Sequence, residues 1–172
     1  KEPRFRASAE KGGQFILLAQ MPDPQPAWAQ QYNREMQPAW ARVFEPPSVT
    51  GGESQGIMRI LMTLYRETGE KKYLEPIPRA LDYLKRSFIP RSDAEAFRRL
   101  PEGPVLARFY ELKTNKPLYI TKGSRISAAG LGNRMVDGYE ISYSPESIIT
   151  HYGVIVSGRD LSTLEDDYHS LA

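Results

Sequence analysis

Apolar residues recur along this chain with two periods, and the change falls just beyond Pro90. The first segment, "RFRASAEKGGQFILLAQM", predicts a helix ending near Met21, with Phe15, Ile16, Leu18 and Ala19 on its inner side. Gly12 and Gly13 weaken that helix and mark close packing or the approach of a ligand. Pro22, Pro24 and Pro26 then force an extended, exposed crossing, because a residue before proline avoids the α region. Pro38, Pro46 and Pro47 leave no room for a full helix in "REMQPAWARVFEPPSVTGG". So long an irregular stretch inside a domain points to a functional loop or a cleft wall.

A helical hairpin follows. Ser48 or Thr50 is placed to cap "ESQGIMRILMTLYRET", in which Ile57, Ile60, Leu61, Leu64 and Tyr65 repeat at helical spacing. Gly69 is placed to end it in a left-handed conformation. "KKYLEPIPRALDYLKRS" predicts the second helix, with Pro76 and Pro78 near its first turn and Ile77, Leu81 and Leu84 as its buried stripe. Beyond Pro90, "VLARFYEL", the turn "KTNK" and "PLYIT" predict a β-hairpin, and "GLGNRMVDGYEISY" a turn and third strand. The tail carries one apolar run and an acidic, helical end. The pattern predicts an all-α body with a small C-terminal β-hairpin region. The helical body spans residues 1–90, the β-containing region 100–145 and the tail 146–172.

Length and charge narrow the function. A chain of 172 residues suggests one domain, and 40% apolar residues suffice for a core. With 23 Lys and Arg against 21 Asp and Glu, the net charge is +2, and no dense basic run points to nucleic acid. A local convergence of basic residues would still suit an anionic small molecule or polymer. No cysteine is present, which excludes disulfides, thiolate metal sites and cysteine nucleophiles. No apolar stretch approaches a membrane span, so no membrane partner is expected. Residue 1 is Lys, with no signal-peptide pattern after it, so the sequence is expected to be part of a longer protein.

Familiar catalytic sets are missing from the sequence. His151 and His169 lack metal-ligand spacing and read as surface or tail residues. "GLGNR" at Gly130–Arg134 reads as a turn, and "LEDD" from Leu164 to Asp167 as a solvated helix face. The unusual stretch is "PAWAQQYNREMQPAWARVFEPP". It interleaves Trp28, Tyr32, Trp40 and Phe44 with Gln30, Gln31, Asn33 and Arg42. Aromatic faces beside amides and a guanidinium suit sugar rings and carboxylates. The competing reading is a core-forming aromatic crossing with an Arg42–Glu45 ion pair.

The pattern Ala-Arg-apolar-aromatic-Glu occurs twice, at Ala41–Glu45 and at Ala107–Glu111. In an extended segment, arginine and glutamate three apart point to opposite faces; in a helical turn they meet. The second copy reads as strand, which separates Arg108 from Glu111 and points it the same way as Tyr110.

These segments, in order, resemble the C-terminal half of the pectate lyases of polysaccharide lyase family ten. The Trp28-x-x-Gln31 pair leads to Ala41-Arg42-x-x-Glu45. Glu53-Ser54 then opens a helix, and "ARFYELKTNKPLYI" supplies the later Arg-Phe-Tyr-Glu and Thr-Asn-basic-Pro elements. The resemblance covers roughly residues 10–145. It implies a partial α/α toroid of helical hairpins, and a single partial catalytic domain that lacks its N-terminal half. The implied reaction is calcium-assisted β-elimination on polygalacturonate. It assigns Arg42 as the catalytic base and Arg108 as a substrate-binding residue. Lys122 stands where the family has a further arginine, and Trp28 and Gln31 complete the candidate substrate-binding set. An extracellular or periplasmic location is implied by the polymeric substrate.

Physics qualifies one assignment, because a guanidinium keeps its proton unless a cationic, desolvated site lowers its pKa severely. Otherwise Arg42 polarises the substrate carboxylate while another base or water takes the proton. The chain also departs from the family pattern at Tyr32, Asn33 and "TKGS" from Thr121 to Ser124. The family's calcium-ligating aspartate motifs do not occur in it. Either the chain is a fragment or the metal site is absent, and on its own it is expected to have little or no activity. A lyase for another uronate polymer, and a non-catalytic helical module binding an acidic glycan or a protein, remain as alternatives.

Overall fold

The computed structural model describes residues 2–42, 44–95, 102–122, 139–146 and 155–172. Helix α1 (Pro3–Ala19) starts with proline in its first turn, where the missing N–H costs nothing. Its inner face centres on Gly13, Ile16 and Leu17, spaced i, i+3, i+4. Phe15 and Leu18 stand on the other side of the helix, 49% and 68% exposed, against the expectation that they face inward. Gly13 sets this rotation. A Cβ there would lie 2.7 Å from Leu64 Cδ1 and 2.8 Å from Tyr73 Cε1, so only glycine allows the approach.

After the proline crossing, β1 (Ser48–Thr50) runs directly into α2 (Gly51–Thr68). Ser54, Gln55, Met58, Leu61 and Met62 form the buried stripe of α2. Ile60, expected in the core, lies off that stripe and is half exposed. Thr50 occupies the N-cap position without capping through its side chain; its hydroxyl donates to the Trp28 carbonyl instead. Gly69 ends the helix as expected, with φ +74° and its N–H donating to the Tyr65 carbonyl at 2.7 Å. A 3₁₀ turn (Lys71–Tyr73) leads to α3 (Ile77–Arg86), which begins only after Pro76 and buries Ile77, Leu81 and Leu84. A short helix, α4 (Arg91–Ala94), closes this half.

The apolar run beyond Pro104 divides at Arg108. β2 (Val105–Ala107) pairs antiparallel with β6 (Ile155–Ser157). β3 (Phe109–Glu111) joins a second antiparallel sheet of order β1-β3-β4-β5, with β4 at Pro117–Lys122 and β5 at Tyr139–Ser142. The β3–β4 turn places Lys113 and Asn115 at φ +72° and +58°. Gln25, from the proline crossing, holds that turn. Its Oε1 accepts from the Lys113 N–H at 2.6 Å, and its Nε2 donates to the Glu111 carbonyl at 3.0 Å. Helix α5 (Asp160–His169) packs on α2 and α3.

The chain is therefore a mixed α and β structure, which overturns the expected all-α body and partial α/α toroid. The cause is visible in β1 and β6. Each has three residues, too few to show a period of two, and each comes from a segment read as helical body or tail. The Val49↔Tyr110 and Leu106↔Val156 pairings tie both segments to the central β-run. The largest fully buried side chains include Trp28, Tyr73, Tyr83, Phe109, Tyr110 and Tyr119, so aromatic residues fill the space between helices and sheet. "GLGNR" and His151 lie outside the described residues.

Candidate functional site: two arginines on one carboxylate

Pro46 and Pro47 stop the chain from continuing as helix, and before them hydrogen bonds tie Glu45 back to Ala41 and Arg42. The Glu45 N–H donates to the Arg42 carbonyl at 2.9 Å, and the Ala41 N–H to the Glu45 carbonyl at 3.2 Å. This local curl lets arginine and glutamate three apart meet. Glu45 is 1% exposed. Its Oε2 accepts from the Arg42 backbone N–H at 3.1 Å and from Arg42 Nε at 2.9 Å. Its Oε1 accepts from Arg42 Nη2 and from Arg108 Nη2, the latter at 3.1 Å. Two guanidinium groups thus share one carboxylate oxygen. Hydrogen bonds from Arg42 pull the Glu45 carboxyl down to about 2, against the opposing effect of burial. The Arg42 side chain itself remains 64% exposed and stacks on Phe44, 5.2 Å from the ring centroid.

Arg108 reaches the same point from the β-run, at the residue where the chain passes from one sheet to the other. Its carbonyl accepts from the Gly51 N–H at 3.0 Å, which fastens it to the start of α2. Its side chain is 15% exposed. Nη2 donates to Glu53 Oε1 at 3.1 Å and to Gln30 Oε1 at 3.4 Å. Glu53 sits in the first turn of α2, where the positive end of the helix dipole favours a carboxylate. The cluster holds two positive and two negative side chains. Its more exposed cation is Arg42.

The structure brings Arg42 and Arg108 together and sorts the other candidates. Trp28 is fully buried, with its indole N–H donating to the Ile16 carbonyl at 2.8 Å, so its ring faces the core. Gln31 is exposed, and its amide donates to the Trp40 carbonyl at 3.2 Å across the base of the aromatic loop. Lys122 ends β4, paired through its backbone with Tyr139, and its side chain lies outside what is described. His169 is exposed at the end of α5. The second Ala-Arg-x-x-Glu copy behaves as the strand reading requires for Glu111, whose carboxylate accepts from Tyr143 Oη at 2.5 Å and from Thr114. Tyr110 goes to the core, where its hydroxyl donates to the Ser87 carbonyl, while Arg108 goes to the site. The switch of sheets at Arg108 breaks the alternation that would have pointed them together.

Sequence reasoning missed Gln30 and Glu53 as partners of Arg108. Gln30 stood out only as one of the amides interleaved with the aromatic residues, and Glu53 only in the Glu-Ser that opens α2. Among the described residues, no group of three or more Asp, Glu, His or Cys side chains could hold a metal ion. Glu45 has both carboxylate oxygens engaged by guanidinium groups, and Glu53 has its Oε1 engaged while its buried Oε2 lacks a hydrogen-bond partner among the described residues. These residues do not fit a calcium site.

Residues 1–140 match the family model of pectic acid lyase. The chain belongs to the pectic acid lyase family. Its fold is similar to a mutant family 10 polysaccharide lyase from Cellvibrio cellulosa, solved in complex with trigalacturonic acid. That match has a TM-score of 0.68 and 20% identity, and covers 99% of this chain and 52% of that one. A second structure of a family 10 polysaccharide lyase from Cellvibrio cellulosa matches with a TM-score of 0.54 and 24% identity. It covers 67% of this chain and 39% of that one. This pectic acid lyase family chain thus spans about half the length of the first of these solved structures. No curated protein matches it.

Proposed function

We propose that this chain carries the arginine side of a lyase that cleaves polygalacturonate, or a related uronate polymer, by β-elimination. The observation that supports the reading most is the meeting of Arg42 and Arg108 at Glu45, within the segment that matches the family. The complex of a structural relative with trigalacturonic acid supports an acidic sugar polymer as the ligand. In the reaction, a base removes the proton at C5, the electron pair forms the C4–C5 double bond, and the C4–oxygen bond breaks. The leaving oxygen then takes up a proton. Charge pushed onto the C6 carboxylate is met by guanidinium groups already in place.

Arg108 serves as the fixed carboxylate-binding residue, because two carboxylates and an amide hold its fork. Arg42 is the cation at the reacting carbon. Its pairing with buried Glu45 favours the protonated guanidinium, so the proton goes to water or to another base. Calcium and a location outside the cytoplasm belong to this proposal only through the family.

The test is turnover by the full-length gene product on polygalacturonate, glucuronan and alginate, followed by absorbance of the unsaturated product. Product from one polymer is expected, and Arg42→Ala should remove it while trigalacturonate still binds. No product from any of the three polymers would overturn the lyase reading. Binding without turnover would leave a non-catalytic glycan-binding module.

A further inference from the structure

We propose that Glu45 is a positioning residue, which fixes the spacing and orientation of Arg42 and Arg108 by offering both guanidinium groups a single oxygen. The proposal rests on the lyase reading of the two arginines and adds the group that makes their proximity possible.

Two guanidinium groups brought this close repel each other unless an anion lies between them. Glu45 is that anion. Its carboxylate accepts from Arg42 Nε, Nη2 and backbone N–H and from Arg108 Nη2, and it is almost completely removed from solvent. Both of its oxygens are committed to the arginines, so it acts through them and not on substrate. It also holds Arg42 asymmetrically. The Nε–Nη2 edge faces the carboxylate, and the side chain as a whole remains 64% exposed. An exposed guanidinium on a flexible stem would otherwise sample many rotamers. Gln30 and Glu53 hold Arg108 from other sides, and the Phe44 ring lies 5.2 Å from the Arg42 guanidinium.

The experiment is Glu45→Gln in the full-length protein, assayed for kcat and KM on trigalacturonate across pH. A positioning role predicts that kcat falls by about 100-fold, the scale of a roughly 1 Å misplacement. KM should stay unchanged or fall, because the cleft loses a negative charge while the ligand is anionic. The pH profile should keep its shape, and Glu45→Asp should recover part of the loss. A faster reaction at neutral pH, with the alkaline limb moved to lower pH, would overturn the proposal by showing that Glu45 had been suppressing Arg42 as a base. Unchanged kcat and KM would overturn it too.

If Glu45→Gln does not fold, hydrogen exchange of the Arg42 Nε–H in the wild-type protein decides. Slow exchange is expected, and exchange at the rate of an exposed arginine would overturn the proposal. A wild-type protein without turnover defeats the lyase reading alone, and the same exchange measurement then still decides whether Glu45 holds the guanidinium.

Discussion

The carbonyl oxygen of Ala107 lies 2.4 Å from the place a Cβ on Gly51 would occupy. The N–H of Gly51 meanwhile donates to the carbonyl of Arg108 at 3.0 Å. The start of α2 is thus pressed against the residue where the β-run changes sheets, and the absence of a side chain at Gly51 sets how closely. Gly51→Ala is expected to cost about 1–3 kcal/mol, the range for forcing extra volume into a packed site. Because the clash displaces the backbone beside Arg108, trigalacturonate affinity should weaken as well. Urea denaturation and isothermal titration of the same variant check both effects.

Neighbouring glycines in α1 should respond with opposite signs. At Gly13, a Cβ would collide with Leu64 and Tyr73, and Gly13→Ala should destabilise by about 1–3 kcal/mol. At Gly12, nothing lies within 4 Å, and replacing an interior helical glycine by alanine should stabilise by about 0.5–1 kcal/mol. Thermal melts of the two variants give the comparison. Equal effects would mean that α1 does not pack on α2 as described.

Trp28 separates a stacking role from a structural one. Trp28→Phe keeps most of the buried ring but removes the donor to the Ile16 carbonyl. The cost to stability should be about 1 kcal/mol, the usual net value of such a bond. Uronate affinity should be unchanged, since the ring is buried. A large loss of trigalacturonate binding in a folded Trp28→Phe protein would return this residue to the ligand-contact set.

Acid should weaken the Glu45 cluster in a defined window. The folded carboxyl is held at about 2, below the ordinary 4.5. A lowered folded value contributes stability that is fully present above the unfolded pKa and is lost as pH falls toward the folded one. Between roughly pH 4.5 and 2, wild-type stability should therefore fall more steeply than that of Glu45→Gln. Urea midpoints of the two proteins across that interval provide the check.

Several elements were legible without coordinates because their causes are local. The left-handed stop at Gly69, the late start of α3 beside its prolines and the β3–β4 hairpin all follow from neighbouring residues. So did the two arginines, which stand in unusual local patterns. The face of α1 was not legible, because Phe15 and Leu18 look like core residues until Gly13 is found to touch Leu64 and Tyr73. Nor were β1 and β6. Three-residue strands have no readable period, and their pairing partners lie about sixty and fifty positions away in the chain.

The amino-acid order by itself determined that two arginines each stand in an Ala-Arg-x-x-Glu frame. Tertiary structure decided what each arginine pairs with. Arg42 keeps its own glutamate because the chain turns back before Pro46, with the Glu45 N–H on the Arg42 carbonyl. Arg108 loses Glu111 to Tyr143 and Thr114, and takes Glu45, Glu53 and Gln30 instead. The turn is a local property of the chain and can be weighed from residues close together. The exchange of partners needs β2 and β3 to enter different sheets at Arg108 and α2 to begin against it. Such contacts join residues far apart in sequence, and only folding brings them within hydrogen-bonding reach.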